Sequence, residues 1–178
     1  MKLTVFLLTT ILFSSTVNAE FNLPLKKHFE ADQEIRSLEN RENGIFPNYK
    51  DEIARRLFVF KALANGQLKT ADDFFHAAII LQHTNVEFVG EELKSMGNEN
   101  HLLAYYLAEK AHKLGHRNGA WLIASTYNRY LENASLDIQK YGLKYEKNEV
   151  HLQNDSVTDD ERTSIGLPPT QSVLSSTM

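Results

Sequence analysis

Residues 70–83 read TADDFFHAAIILQH. Thr70 with Asp73 three positions on is a capping-box pattern. The hydroxyl takes an orphan amide of the first turn, and the acid reaches back to the amide of the cap residue. A helix therefore starts here. Beyond the cap it is apolar nearly all round, and such a helix belongs between other helices rather than on a surface. Phe75, Ala78, Ile79 and Gln82 line one side, and His76, Ile80 and His83 the adjacent one. Ala77 and Ala78 let a neighbouring helix come close. The rest of the fold is expected to pack around this segment.

Downstream, Asn85–Met96 (NVEFVGEELKSM) reads as a less regular helix weakened by Gly90. A long helix follows from Glu99 to Leu114, with Leu103, Leu107, Ala111 and Leu114 as its stripe, flanked by Tyr106, and Gly115 as its stop. Asn118 caps another, Gly119–Glu132. There Leu122, Ile123, Thr126, Tyr127 and Tyr130 face one way, and Trp121, Ser125, Asn128 and Arg129 another. A short turn, Leu136–Tyr141, ends at Gly142. Upstream, Asp51–Asn65 is a helix with Ile53, Leu57, Phe60 and Ala64 at helical spacing, preceded by a loop over Asn40–Lys50. A first helix begins near Asn22-Leu23-Pro24, where proline suits the first turn, and runs to Asn40.

No stretch alternates like a strand, so the fold class is all-α: a single bundle-like domain of about five to six helices in antiparallel hairpins. Residues 1–19 read as a signal peptide. Lys2 is the positive end, Val5–Phe13 the apolar run and Val17-Asn18-Ala19 the cleavage pattern, the run being shorter than the roughly 20 residues a bilayer needs. The helical domain then spans 20–143. Residues 144–178, poor in apolar groups and broken at Pro168-Pro169, read as a flexible, disordered polar tail. The expected location is periplasmic or extracellular, with no membrane span after cleavage.

Formal net charge is −4, and −5 without Lys2, which argues against a nucleic-acid partner. Cysteine is absent, so neither a disulfide nor a cysteine-rich zinc site is possible. His112 and His116 have H-x-x-x-H spacing, but Gly115 breaks the helix between them. His76 and His83 stand about 10 Å apart along one helix, too far for one ion. No metal or cofactor is expected.

The polar residues hardest to read as plain surface are Asp32, Gln33, Arg36, Gln82, His83, Asn128, Arg129, Gln139 and Tyr141. If the helices bring them together, two guanidinia could hold a carboxylate or phosphate. His83 could act as general base, with Asp32 orienting it or holding an arginine. The same residue types also build buried networks that only fix helix register. The leading expectation is an exported helical module that binds an anionic small molecule, a peptide or a protein partner. The alternatives are a hydrolase-like enzyme with His83 catalytic, and an interaction protein whose polar set is purely architectural.

Two resemblances bear on this. The segment AYYLAEKAHKLGHRNGAWLIASTYN, residues 104–128, is similar to the helix-turn-helix unit of Sel1-like and tetratricopeptide repeats, over about one unit. More broadly, the chain resembles a bacterial family of helical domains of unknown function. The elements that carry the likeness run in order over residues 29–142. They are Asp32-Gln33-Glu34-Ile35-Arg36, Gln82-His83, Ala111 with Gly115-His116 and Trp121-Leu122, Asn128-Arg129, and Gln139-Lys140-Tyr141-Gly142. The family has Asp where Asn128 stands, and Thr-Gln where Leu143-Lys144 stand. The resemblance implies a helical domain with a shared polar set and carries no reaction.

Overall fold

A computed structural model describes residues 20–83, 86–89, 92–95, 98–133, 141, 143–146, 149–152 and 157–170. Among them are seven helices: α1 (Leu23–Ile35), α2 (Leu38–Glu42), α3 (Tyr49–Ala64), α4 (Ala71–Gln82), α5 (Asn98–Lys113), α6 (Gly119–Asn133) and α7 (Asp159–Ser164). The fold is all-α in architecture, with two short two-stranded hairpins attached: β1 (Val86–Val89) with β2 (Glu92–Ser95), and β3 (Leu143–Glu146) with β4 (Glu149–Leu152). The expected signal peptide lies outside the described residues. No described helix is long and apolar enough to cross a membrane.

Helix α4 is the centre. Its capping box forms in full between Thr70 and Asp73, nine of its residues are buried, and α1, α3, α5 and α6 all touch it. Burial of Ala77, Ala78, Ile79, Ile80 and Leu81 against Leu25, Val59, Ala104, Leu107, Ala108, Leu122 and Ile123 makes one continuous core. At about 25 cal/mol per Å2 of apolar surface, each such leucine or isoleucine contributes about 1.5–3 kcal/mol.

Asp73 also fixes α1. Fully buried, it accepts from the amides of Lys69 and Thr70, both at 2.9 Å, and from that of Asn22 at 2.7 Å. Asn22 in turn caps α1, its Oδ1 accepting from the Leu25 amide at 3.0 Å. The N-termini of α1 and α4 are thus tied together. Their C-terminal ends meet as well, through Asp32 and His83. The two helices therefore run parallel, and the start of α3 reaches the C-terminal ends of both through Glu52 and Arg55.

The α5–α6 hairpin is held by a close backbone approach. Gly115 turns the chain at φ +89°, and a Cβ on Gly119 would lie 2.6 Å from the His112 Cα. Only glycine fits there.

Four expectations are corrected. The first helix does not reach Asn40: it ends at Ile35, and Ser37 caps the separate α2 by accepting from the Asn40 amide. A capping residue in mid-run breaks a helix when its hydroxyl takes the next turn's amide. Val86–Val89 and Glu92–Ser95 pair as antiparallel strands, not as parts of a weak helix. Val86, Phe88 and Val89 favour strands. The buried stripe of α3 is Arg55, Val59 and Ala62, while Leu57 is exposed. A stripe counted from apolar residues alone skips an arginine that shares the buried face. On α5, Leu114 and Tyr106 are exposed, and Asn100, Ala104, Leu107, Ala108 and Ala111 face inward.

The stretch expected as a flexible tail from 144 also carries structure in its described residues. Thr158 and Glu161 form a second capping box that starts α7. Val157, Ile165 and Leu167 pack on the core, and the buried Arg162 donates to the carbonyls of Tyr141 and Pro168. Its apolar groups are few and lie outside any helical period, so composition hides them.

Candidate functional site

At the end of the bundle where the C-termini of α1 and α4 converge, five charged or titratable side chains meet. Asp32, one turn from the end of α1, is 1% exposed. Its Oδ2 lies 2.5 Å from His83 Nδ1 and accepts from Gln33 Nε2 at 3.0 Å, while its Oδ1 accepts from Arg36 Nη1 at 2.7 Å. A buried carboxylate is costly unless paired and hydrogen-bonded, and here both oxygens are engaged.

Arg36 is the C-cap of α1 and His83 the C-cap of α4. Helix C-termini carry unpaired carbonyls and a partial negative charge. Arg36 answers both: Nη1 donates to the Asp32 carbonyl at 3.3 Å and Nη2 to the His83 carbonyl at 3.2 Å, while Nη2 also pairs with Glu52. Glu52 sits in the first turn of α3, where a negative charge is favoured. One guanidinium thus joins three helices.

Arg55, one turn further along α3, is different. It is 8% exposed, and its Nε lies 3.6 Å from Asp32 Oδ1. That separation compensates charge but exceeds hydrogen-bond length. Its Nε and Nη2 are buried and make no hydrogen bond. Asp32, Arg36, Glu52, Arg55, Ile80 and His83 line a shallow depression open to solvent. The Arg36 and His83 side chains are 20% and 24% exposed, so the depression opens to solvent over them.

Of the residues singled out in the sequence, Asp32, Gln33, Arg36 and His83 are brought together here. Gln82, next to His83 in sequence, turns instead toward α6, where its Nε2 donates to Ser125 Oγ at 2.5 Å and its buried Oε1 is left without a donor. Asn128, one turn beyond Ser125, also has a buried Oδ1 without a donor. Arg129 is half-buried on the same helix and is engaged in interactions of its own. Tyr141 is a core residue: it is buried, stands 6.4 Å ring to ring from Tyr127, and hydrogen-bonds Tyr105. Burial pushes its phenol well above the usual range, so it stays protonated and uncharged. Gln139 lies outside the described residues.

Sequence reasoning passed over Glu52 and Arg55. Glu52 is a first-turn acid of α3, a position where many helices carry a negative charge. Arg55 stands at i, i+4 and i+7 with Val59 and Ala62, and that spacing was the available signal for an arginine on an inward face.

A second group of rings lies toward the other end of α4. His76 stacks on Phe29 at 4.2 Å and Phe75 on His116 at 3.8 Å, with His116 Nε2 3.6 Å from Asp72. Burial lowers the pKa of both imidazoles, so they act there as neutral aromatic packing. Among the described residues no group of histidines and carboxylates has the arrangement of a metal site.

No family model, curated protein or solved structure matches the chain.

Proposed function

We propose that this chain is an exported helical module that binds a ligand or partner group in the depression around Asp32, Arg36, Glu52, Arg55 and His83. One observation carries the reading: Arg55 is buried in the lining with two donors unspent, although four carboxylate or carbonyl acceptors surround its neighbour Arg36. A network that served architecture alone would satisfy its buried donors, because each one left over costs about 1–3 kcal/mol. Asp32, Arg36 and His83, three of the polar residues that the sequence singles out, line this depression, which supports the reading further. A fragment screen followed by amide chemical-shift mapping tests it. Binding there shifts Glu52, Arg55 and His83 together; hits that cluster on other surfaces, or none, would count against it.

A second reading rests on the 2.5 Å contact of His83 Nδ1 with Asp32. A carboxylate on Nδ1 fixes the ring and leaves Nε2 to take a proton, the arrangement of a general base. On this reading the module is hydrolase-like. His83→Ala then abolishes turnover of nitrophenyl acetate or nitrophenyl phosphate while leaving the helical spectrum unchanged. Turnover equal in both proteins removes it.

A further inference from the structure

The unsatisfied atoms of Arg55 define what is missing. In a guanidinium, Nε–H and the nearer Nη2–H point the same way along one edge, the spacing that matches two oxygens of a carboxylate or phosphate. Those are the two nitrogens of Arg55 that lack partners. Nothing in the lining completes the pair. Asp32 Oδ1 stands 3.6 Å from Nε and already accepts from Arg36, and Asp32 Oδ2 accepts from Gln33 and His83. Glu52 is spent on Arg36. The orphans are donors, so the absent partner is an acceptor.

Charge points the same way. Asp32 and Glu52 are matched by Arg36 and Arg55, and the carbonyl ends of α1 and α4 are already covered by Arg36. A small anion therefore meets no uncompensated negative group. The depression is shallow and open to solvent, so only a small group at the end of a ligand could reach the Arg55 edge, as the Arg36 and His83 side chains over it move aside.

We infer that the Nε/Nη2 edge of Arg55 binds a small oxyanion, the carboxylate or phosphate of a ligand whose remainder extends over Arg36 and His83 into solvent. This rests on the ligand-site reading above and gives that ligand its chemical class.

The test is an arginine side-chain NMR titration of the mature protein. The Arg55 Nε–Hε signal is identified by its loss in Arg55→Lys. Inorganic phosphate and acetate are added separately, with chloride at matched ionic strength as the control. The expected result is a saturable shift of that signal in the millimolar range, by phosphate, acetate or both. Which of the two binds tighter identifies the kind of oxyanion. Arg55→Lys keeps the charge and loses the fork, so amide shifts at Glu52 and His83 should then need about tenfold more anion. An Arg55 signal that follows only chloride overturns the inference. So does a coupling across Arg55 Nε–Hε to the Asp32 carboxylate in the anion-free protein. If neutral or cationic fragments shift Glu52 and His83 while the oxyanions do not, the ligand site stands and its oxyanion class falls. If nothing shifts them, both fall.

Discussion

His83 Nδ1 lies 2.5 Å from Asp32 Oδ2, and this contact joins the C-terminal ends of two parallel helices 51 residues apart in sequence. At the opposite ends of the same helices, Asp73 takes the Asn22 amide at 2.7 Å. Two buried aspartates thus clamp α1 to α4, one at each end. The first clamp is also the floor of the depression, so the element that fixes the bundle presents the candidate site.

Asp32→Ala should be among the most damaging single changes. It removes the shared acceptor of Gln33, Arg36 and His83 and leaves two guanidinia short of counter-charge. Breaking a buried pair from one side costs about 3–5 kcal/mol. Urea unfolding followed by circular dichroism measures it. A loss under about 1 kcal/mol would mean the cluster is far better hydrated than its burial implies.

Stability should fall as the solution is made more acidic than about pH 6.5. Burial, the largest cause in each case, lowers the pKa of His28, His76 and His116 below the ordinary 6.5. Below 6.5 the unfolded chain binds protons that the folded chain refuses, so unfolding is favoured until the folded pKa values are passed. Asp72 and Asp73 oppose the shift at His76 without cancelling it. Melting temperatures between pH 7.5 and pH 5 read the slope. His76→Phe keeps the stack on Phe29 and should make the slope shallower; an unchanged slope would show that His76 titrates alike in both states.

Gly119→Ala should destabilise by about 1–3 kcal/mol, the usual range for overpacking. The new Cβ would stand 2.6 Å from the His112 Cα, and backbone cannot yield as a side chain end can. Gly44→Ala is a contrasting control: nothing lies within 4 Å of its Cβ position, and its cost comes only from φ +71°. Equal losses in the two variants would deny the close approach of α5 and α6.

Arg162→Ala should loosen the C-terminal segment, since it strips donors from the Tyr141 and Pro168 carbonyls, at about 1–3 kcal/mol for each buried group left unpaired. Limited proteolysis near Thr158 is the direct readout. Faster cleavage with an intact remaining core is expected; an unchanged rate would mean α7 contributes nothing to the fold.

The helical core was legible because its signals are local. Thr70 with Asp73, Asn22 before Pro24, and Gly115 each mark a helix boundary through their own chemistry. The errors came where the decisive partner is distant or the pattern is polar. Ser37 ends α1 through a hydroxyl that read as helix surface. Arg162 is held by a carbonyl 21 residues away, and no periodicity announces that. The candidate site was half legible: Asp32, Arg36 and His83 stood out among the polar groups hardest to read as plain surface. Arg55 did not, because an arginine beside Arg56 on an amphipathic helix reads as solvent-facing until its burial is seen.

Arg55 is kept for a ligand and not for the fold, and the stability of Arg55→Met without added anion tests that most directly. Asp32 retains Arg36, Gln33 and His83 in this variant, and an apolar side chain of similar reach replaces donors that had no acceptor. Arg55 makes no hydrogen bond through Nε or Nη2 and stands 3.6 Å from Asp32, so its removal relieves a buried, poorly satisfied charge while Arg36 still neutralises Asp32. The expected result is a urea midpoint equal to or above that of the wild-type protein. A loss of about 3 kcal/mol or more would show that Arg55 holds the bundle together and that the cluster is architecture.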